Sequence, residues 1–455
     1  MSKLTPQIIA EVTGGRYVGN EGDRHVPVAV AVRDDRDVKP GNLFVCIRGA
    51  RVDGHSFVNN AFDSGAACCL TEQEIPDAKG PYIIVDSTLE SLIILSTYYR
   101  SLFDIPVIGI TGSVGKTTAK ELIAAVLSIK LNVMKTEMNL NNEIGVPLTL
   151  LSLNENHEVA VIEMGIRDFG DMDVLAQMVR PDIFVMTKIG YSHIKELGDL
   201  QGVLRAKTEV FDYMKPDGIA VMNGDDDLLL GYDTKIRRIT FGLEKHNDVL
   251  AININTKSID LIEFDISDEA KSFPVKLPAY GSHLAALAPA AVIIGRLMGL
   301  SDDEISKGFL SYAPVEGRSN VKTVNGLTVI DDCYNSNPNS VKAALTSLSA
   351  LPGRHVAVLG DMLNLGEHSE RMHYEVGVFA AKSGIDCLLC QGDHALNIYN
   401  GYLSGNGKKG FYFAKKNELS DAIPEKIKKG DVILVKASRG MYFEELLPII
   451  SDLRG

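Results

Sequence analysis

One stretch at the end of the first quarter of the chain constrains the fold more than any other. Residues 106–118 read PVIGITGSVGKTT. An apolar, β-branched run is followed there by a turn that contains glycine, and Lys116 opens a segment of good helix formers. A buried strand that leads through such a turn into a helix brings backbone N–H groups and the positive end of the helix dipole to one place. This order of elements predicts an anion site in an α/β domain.

The residue types in this turn indicate that the anion is a nucleotide phosphate chain. The ammonium of Lys116 can neutralise the β- and γ-phosphates, and the hydroxyl of Thr117 can hold Mg²⁺. The full phosphate-loop pattern would place a glycine at Ile110, so only part of that pattern is present. The residues that we expect around the phosphates are Thr111, Gly112, Ser113, Val114, Gly115, Lys116, Thr117 and Thr118.

Length and charge exclude several classes of protein. A chain of 455 residues is too long for one core, so we expect two to four domains. The formal net charge of -13 argues against a general binder of nucleic acid or of acidic membranes. The most apolar region, 284–300, is interrupted by Pro289 and Arg296 and is too broken to span a bilayer. No N-terminal signal pattern is present, and the six scattered cysteines indicate core thiols in a reducing compartment, so we expect a cytoplasmic protein.

Three units follow from the alternation of short apolar runs with helical patterns. Residues 1–103 predict a small mixed α/β domain, 104–312 a doubly wound domain with a parallel sheet, and 313–455 a second open, Rossmann-like sheet without a phosphate loop. Ligands of such sheets bind beyond the carboxyl ends of the strands. The strands predicted for the second and third units are 107–110, 133–136, 159–163, 183–187, 219–222, 239–241, 327–330, 355–359, 387–390, 410–413 and 432–435.

Polar residues at these strand ends predict a cation site beside the nucleotide. Glu163 ends one strand and His193 follows another. A carboxylate and an imidazole there can ligate a divalent cation, although Mg²⁺ prefers oxygen and His193 would suit a softer or partly hydrated site. Lys207 lies on the next helical segment, and the sequence alone does not decide whether it faces the site or the solvent.

Two polar loops are open to more than one interpretation. Asn139, Asn141 and Asn142 precede a helix start, where their amides can either read a ligand or satisfy the backbone of the turn. In the first unit, the loop 48–55 contains Arg48, Arg51, Asp53 and His55. That loop can bind a phosphorylated ligand, or it can be a solvated turn.

Together these motifs resemble those of the ATP-dependent Mur ligases, and the resemblance runs along the whole chain. The asparagine loop, YNSNP and LGDMLNLGEHS resemble the members that join D-alanyl-D-alanine to UDP-N-acetylmuramoyl-tripeptide. The segments that carry the resemblance are GARVDGHSF at 49–57, TGSVGKTT at 111–118, NLNNEIGVPLT at 139–149, EMG at 163–165, DDCYNSNPNS at 331–340, LGDMLNLGEHSERMH at 359–373 and KASRGM at 436–441.

The resemblance implies a three-domain architecture and a reaction. ATP would phosphorylate the terminal carboxylate of UDP-N-acetylmuramoyl-tripeptide, and the amine of D-alanyl-D-alanine would attack the acyl phosphate through a tetrahedral intermediate. The product would enter cytoplasmic peptidoglycan precursor synthesis. The resemblance also implies one or two Mg²⁺ ions and a protein that acts as a monomer.

Residue roles can be carried over from the family motif by motif. Arg36 would contact uridine, and Asp53, Gly54 and His55 would contact the phosphates or the sugar. Lys116, Glu163, His193 and Lys207 would form the catalytic centre, in which Thr117, Glu163, His193 and a carbamylated Lys207 would be the metal ligands. His283, Arg318 and Asp332 would complete the ATP site. Asn139, Asn141, Asn142, Asn335 and Asn337 would bind the substrates.

The sequence departs from the family pattern at three places. Leu284 and Leu287 stand where the family usually has asparagines that contact adenine, Asp35 adds a carboxylate before Arg36, and Ala437 replaces a glycine. Two alternatives therefore stay open, which are a ligase of the folylpolyglutamate synthase type with a different acceptor and a noncatalytic nucleotide-binding relative. A GTPase switch is disfavoured because no Asn-Lys-x-Asp guanine motif is present.

Overall fold

Three β-sheets follow one another along the chain. A computed structural model describes residues 1, 3–49 and 52–453. The sheets have five, nine and six strands and take up residues from the first, middle and last parts of the chain in that order. The predicted α/β architecture of three units, with parallel strands dominating, is confirmed.

The first sheet is small and mostly parallel. Its strands run in the order β1-β5-β4-β3-β2, and only the β1–β5 pair is antiparallel. Short 3₁₀ turns flank the strands at Glu21–His25, Asp35–Asp37 and Gly54–Phe57. The elements are α1 (Pro6–Thr13), β1 (Arg16–Val18), β2 (Ala31–Val32), β3 (Leu43–Val45), α2 (Val58–Asp63), β4 (Cys68–Thr71), β5 (Tyr82–Ile84) and α3 (Thr88–Ser101).

Helix α3 joins the first unit to the second. Its buried face carries Leu92, Leu95 and Tyr99, which belong to a core shared with the middle sheet. The hydroxyl of Tyr99 donates to the carbonyl of Leu153 at 2.8 Å across this boundary. Burial of three large side chains, each contributing on the order of 2 kcal/mol, favours a fixed orientation of the two units.

The second sheet positions the phosphate loop at the centre of a parallel array. Strand β6 lies between β8 and β9 in the order β14-β13-β12-β11-β10-β9-β6-β8-β7. A 3₁₀ turn at Glu209–Tyr213 follows α8. The elements are β6 (Val107–Thr111), α4 (Lys116–Leu127), β7 (Val133–Lys135), α5 (Gly145–Leu150), β8 (Val159–Glu163), α6 (Asp171–Val179), β9 (Ile183–Met186), α7 (Ile194–Leu197), α8 (Leu200–Thr208), β10 (Ile219–Asn223), α9 (Asp227–Leu230), β11 (Arg237–Gly242), β12 (Val249–Asn255), β13 (Ile262–Ser267), β14 (Ser272–Leu277), α10 (Ser282–Ala285), α11 (Ala288–Leu297) and α12 (Asp302–Leu310).

An antiparallel extension of this sheet is not in the sequence-based prediction. β13 pairs antiparallel with β12 and with β14, whereas the six predicted strands pair in parallel. Along β13 the buried residues Ile262, Phe264 and Ile266 alternate with half-buried ones. Such alternation is typical of an antiparallel strand with one solvated face, so the signal was present in IEFDIS.

The third sheet is open and doubly wound. Its order is β15-β16-β20-β17-β18-β19, and all pairs except β15–β16 are parallel. The five predicted strands are present, and β15 was not predicted. The elements are β15 (Asn320–Val324), β16 (Leu327–Asp331), α13 (Pro338–Ser349), β17 (Arg354–Gly360), α14 (Ser369–Lys382), β18 (Cys387–Gln391), α15 (Ala395–Ser404), β19 (Gly410–Phe413), α16 (Lys416–Lys426), β20 (Asp431–Lys436) and α17 (Leu446–Ser451), with 3₁₀ turns at Gly366–His368, Arg439–Met441 and Phe443–Glu445.

The cysteines and the helices of the described residues give two further observations. All six cysteines are buried and free. Among the helices that the structure describes, none combines the length and the hydrophobicity that crossing a lipid bilayer requires.

Candidate active site

The phosphate loop is a tight turn in which two positions favour glycine. Gly112 has a φ of 150°, and a Cβ there would lie 2.0 Å from Oγ1 of Thr187. Gly115 has a φ of 88° and forms the N-cap of α4. The hydroxyl of Thr187 donates to the carbonyl of Val114 at 2.6 Å, and the N–H of Ser113 donates to the carbonyl of Lys188 at 2.7 Å. The segment that follows β9 therefore supports the loop from the side, and the N-terminus of α4 lines the cleft.

Lys116 lies at the first position of α4, where one anionic and one cationic side chain act on it. Its Nζ donates to the carbonyl of Gly112 at 2.8 Å. Burial lowers the pKa of Lys116; the carboxylate of Glu163 raises it, and the guanidinium of Arg318 lowers it. An anionic ligand in this place would stabilise the charged form.

Glu163 is buried at the carboxyl end of β8 and is held from three sides. The hydroxyl of Thr117 donates to its Oε2 at 2.8 Å, and Nδ2 of Asn141 donates to its Oε1 at 2.8 Å. Its own N–H donates to the hydroxyl of Thr136 at 2.9 Å. Glu163 is 1% exposed. The two residues that the sequence predicts as oxygen ligands, Thr117 and Glu163, are thus in direct contact.

His193 and Lys207 both lie close enough to Lys116 for its charge to act on them. His193 adopts a left-handed conformation with a φ of 55° at the N-cap of α7. Its burial lowers its pKa to about 4, and the charges of Lys116, Lys207 and Arg167 act in the same direction. The neutral imidazole that results is the form that ligates metals.

Lys207 is buried on α8, which resolves the ambiguity in the sequence. Its exposed fraction is 2%. Burial, and then the charge of Lys116, lower its pKa well below that of an ordinary lysine. The neutral amine of Lys207 is therefore favoured far more than that of a solvated lysine.

The third unit contributes the opposite wall of a cleft of about 360 Å³. Arg318 and Asp332 both line this cleft, as the sequence predicts. Asp332 accepts from Nζ of Lys436 at 2.7 Å and from the N–H of Ser319 at 3.2 Å. Lys436 is 2% exposed, so this ion pair is buried.

One end of the cleft is apolar. Leu284 and Leu287 both line it, and a Cβ at Gly115 would lie 3.0 Å from Cδ1 of Leu287. The nearby carboxylate of Asp225 already accepts from the N–H groups of Leu243 and Glu244. His283 also lines the cleft, and its buried Nδ1 has no hydrogen-bond partner among the residues that the structure describes. Burial lowers the pKa of His283.

The predicted asparagines have unequal positions. Asn141 reaches Glu163, whereas Oδ1 of Asn142 accepts from the N–H of Gly145 and Asn139 is exposed. Asn335 and Asn337 both line the cleft. Asn337 is also the N-cap of α13, since its Oδ1 accepts from the N–H of Ser340 at 2.9 Å. Oδ1 of Asn335 accepts from the N–H of Ser336 at 2.8 Å, so three of the five side chains hold local backbone, as turn asparagines commonly do.

The predicted residues of the first unit are outside the lining of the cleft. Arg36 forms an ion pair with Asp34, and this contact lowers the pKa of Asp34 to about 2. His55 is buried, its Nδ1 donates to Asp53 at 2.6 Å, and its Nε2 accepts from the N–H of Glu72 at 2.8 Å.

Gly54 and Arg51 belong to the same loop, 48–55. A Cβ at Gly54 would lie 2.9 Å from the backbone nitrogen of Ile47. Arg51, which the sequence also singles out, lies outside the described residues.

Several residues that line the cleft have no role in the sequence-based prediction. Lys436, Tyr334 and Asn339 each line the cleft. Asn339 lies so close to Gly190 that a Cβ there would be 2.6 Å from its Nδ2. Lys436 could have been found, because it ends a predicted strand beside Asp332. Tyr334 and Asn339 could not, because their position depends on how the second and third sheets meet.

The fold and the site define a nucleotide-binding protein whose phosphate loop is covered by a second open α/β domain. Three family descriptions match the chain: Mur ligase family, catalytic domain, over residues 34–100; Mur ligase middle domain over 110–295; and Mur ligase, glutamate ligase domain, over 317–439. The chain belongs to the Mur ligase family.

Known relatives and solved structures match this chain over nearly its full length. The UDP-N-acetylmuramoyl-tripeptide–D-alanyl-D-alanine ligase of Bacillus subtilis is 37% identical and covers 100% of this chain and 99% of its own. Its namesake from Escherichia coli is 33% identical, with 99% of each chain covered. A crystal structure of MurF from Acinetobacter baumannii matches with a TM-score of 0.88 at 29% identity, covering 98% of each chain. The MurF ligase of Thermotoga maritima in complex with ADP matches with a TM-score of 0.83 at 28% identity, covering 94% of this chain and 98% of its own.

These matches confirm the predicted family, the three-domain Mur ligase fold and the class of ATP-dependent ligase. A folylpolyglutamate synthase of Mycobacterium tuberculosis matches with a TM-score of 0.62 at 15% identity, which concerns the fold alone.

Proposed function

We propose that this protein joins D-alanyl-D-alanine to the terminal carboxylate of UDP-N-acetylmuramoyl-tripeptide at the expense of ATP. The observation that carries the proposal is the buried contact between Thr117 and Glu163 at the end of the phosphate loop. It puts an oxygen-rich corner beside the place where the terminal phosphate of a nucleotide would lie. The full-length relatives that carry this activity in their names support the choice of substrates.

The residues of the phosphate loop would hold and orient the triphosphate. The N-terminus of α4 and the ammonium of Lys116 face the same cleft as Arg318 of the third domain. Two anions, the triphosphate and the substrate carboxylate, repel each other as they approach, and these cations offset the repulsion. Asp332 and its partner Lys436 lie on the opposite wall, where Asp332 could accept from a ribose hydroxyl.

The ligand atoms that Thr117, Glu163 and His193 offer fit Mg²⁺. Thr117 and Glu163 supply oxygen atoms, and His193 supplies a neutral imidazole. Within the described residues, no group of three or more His, Cys, Asp or Glu side chains is placed to hold a metal ion. Water, phosphate oxygens and a further oxygen ligand would therefore complete the coordination. A bound Mg²⁺ would neutralise charge on the phosphoryl group during transfer.

Carbamylation of Lys207 would supply that further ligand. A neutral buried amine adds to carbon dioxide, forming a nitrogen–carbon bond and releasing one proton, and leaves a carboxylate-like group. The low pKa of Lys207 favours the neutral amine that this reaction needs. The site would then have two carboxylate-type groups and one imidazole facing the nucleotide.

Water must be kept from the acyl phosphate, because hydrolysis would waste it. The third domain covers the phosphate loop, and Asn339 lies against Gly190 across the boundary. This closed contact would exclude solvent while the dipeptide amine attacks the acyl carbon. Asn335 and Asn337 lie on the same wall and would border the dipeptide.

We also propose a role for the first unit, the limits of the three domains, the oligomeric state and the location of the protein. Arg36 and the segment Asp53–Gly54–His55 would bind the UDP-sugar end, although His55 already has both ring nitrogens engaged. The domain limits 1–103, 104–312 and 313–455, a monomeric state and a cytoplasmic location also belong to the proposal. Six buried, free cysteines support a reducing compartment.

A phosphate-release assay tests the reaction directly. ATP, UDP-N-acetylmuramoyl-tripeptide and D-alanyl-D-alanine are supplied together and then omitted one at a time. We expect phosphate release to require all three. Turnover without the dipeptide, or with glutamate in its place, would contradict the proposed acceptor.

A further inference from the structure

Two guanidinium groups lie over the ring of Tyr334. The Cζ of Arg318 is 4.2 Å from the ring centroid and that of Arg439 is 5.1 Å from it. Lys436 has Asp332 as its carboxylate partner, whereas neither arginine has one among the residues that the structure describes. Two unpaired cations beside one ring indicate a surface that binds anions.

The arginines face different parts of the molecule. Arg318 lines the nucleotide cleft and acts on the pKa of Lys116. Arg439 is exposed and is not part of the described lining of that cleft. It belongs to the turn that follows β20.

Three loops meet around Arg439. The hydroxyl of Ser438 accepts from the N–H of Leu363 at 2.9 Å, which joins the loop after β20 to the loop after β17. Nζ of Lys436 donates to the carbonyl of Asn335 at 2.8 Å, which joins it to the loop after β16. Leu363 remains 42% exposed beside Gly440.

The topology of the third sheet puts this meeting point where open α/β sheets bind ligands. The chain moves in one direction from β16 through β17 and β18 to β19 and then returns to β20, which lies between β16 and β17. The reversal of strand order therefore falls at β20. Open α/β sheets bind ligands outside the carboxyl ends of the strands at such a reversal, and Arg439 is the unpaired cation there.

We propose that Arg439 binds the free carboxylate of the incoming dipeptide at this meeting point. The inference rests on the proposed function. The amine that attacks the acyl phosphate must be neutral, so the attacking dipeptide has a net negative charge. That charge approaches a triphosphate and an acid group, in a chain whose formal net charge is -13. An extended dipeptide spans about 7 Å, so a cation at its far end can hold it while its amine reaches the reaction centre.

The test compares D-alanyl-D-alanine with its C-terminal carboxamide, which lacks the carboxylate. Wild-type protein should use the acid with a kcat/KM about 10- to 100-fold higher than the carboxamide, as expected for a charge-assisted hydrogen bond. Arg439→Gln should bring this ratio close to one by raising KM for the acid. Arg439→Lys should give an intermediate ratio, since lysine keeps the charge without the planar fork.

Controls separate the possible outcomes. KM for ATP and for the UDP-linked substrate should stay within about twofold of wild type in Arg439→Gln, because the lost contact concerns the dipeptide alone. Arg371→Gln removes an exposed arginine that pairs with Glu375 on α14. It should change neither the acid-to-carboxamide ratio of kcat/KM nor KM for any substrate. A wild-type ratio in Arg439→Gln, or a rise in KM for ATP instead, would overturn the assignment of Arg439. No dipeptide-dependent turnover in wild type would overturn the proposed function together with it.

Discussion

The hydroxyl of Thr117 donates to Oε2 of Glu163 at 2.8 Å, which ties the first turn of α4 to the carboxyl end of β8. The second oxygen of the same carboxylate accepts from Asn141. A carboxylate fixed at both oxygens has one orientation, so a cation bound to it is placed before the nucleotide arrives. This preorganisation is the basis of the first prediction.

Thr117→Val should raise the Mg²⁺ concentration that half-maximal activity requires by about 10-fold or more, because it removes an oxygen ligand and leaves Oε2 of Glu163 without its donor. Thr117→Ser keeps the hydroxyl and should stay near wild type. Titration of activity with Mg²⁺ at saturating ATP gives the measurement. An equal Mg²⁺ requirement in both variants would show that the hydroxyl does not act on the metal.

Lys116→Ala should lower the rate of ADP formation by about 100- to 1,000-fold, since the variant loses the cation that faces the phosphates. The protein should remain folded, because Nζ of Lys116 makes one hydrogen bond within the described part of the chain, to the carbonyl of Gly112. Circular dichroism and a thermal melt check the fold. Lys307→Ala, at an exposed position of α12, is the matched control and should keep wild-type turnover.

The position of several candidate residues at one edge of the middle sheet could be predicted from the sequence, because they stand at the ends of predicted parallel strands. Thr111, Glu163 and His193 follow β-branched or apolar runs, and parallel strands bring their carboxyl ends to one edge. Their position at neighbouring strand ends was therefore expected. Lys207 was ambiguous because a helix has two faces, and only packing decided that it is buried.

Other features depend on contacts between distant segments, which a sequence pattern does not contain. Arg439 and Arg318 approach Tyr334 because three loops from separate strands converge. Asn337 was expected to be a substrate residue and is also a helix cap, since one residue type serves both purposes. The antiparallel strands β13 and β14 were missed although alternation in β13 was visible.

Carbamylation of Lys207 predicts chemical rescue. Lys207→Ala should lose most activity, and short-chain carboxylates such as formate or acetate should restore part of it, because they can occupy the space of the carbamate. ¹³C NMR of the wild type in ¹³C-bicarbonate should show a carbamate carbon that is absent from Lys207→Ala. Lys116→Ala should not be rescued by the same acids. Near-normal activity of Lys207→Ala without additives would contradict a metal-binding role.

Because of buried His373, we expect the folded protein to lose stability on acidification. It is fully buried, its Nε2 accepts from the N–H of Met362 at 2.9 Å, and its Nδ1 donates to the carbonyl of Ser369 at 2.7 Å. The neutral ring thereby closes the loop between β17 and α14. Burial, and the charge of His394 nearby, lower the pKa of His373 to about 4. A protonated ring could no longer accept from Met362.

Because the folded-state pKa lies below the ordinary value of about 6.5, the unfolded chain binds a proton in a range where the native protein does not. The free energy of unfolding should therefore be highest above about pH 6.5 and fall by about 3 kcal/mol toward pH 4 through this one group. Urea unfolding of wild type and His373→Gln at pH 7.5, 6 and 5 measures the effect. His373→Gln should be less stable at pH 7.5 and lose less stability on acidification, whereas the same substitution at exposed His25 should keep the wild-type slope. Parallel pH profiles for His373→Gln and wild type would contradict the prediction.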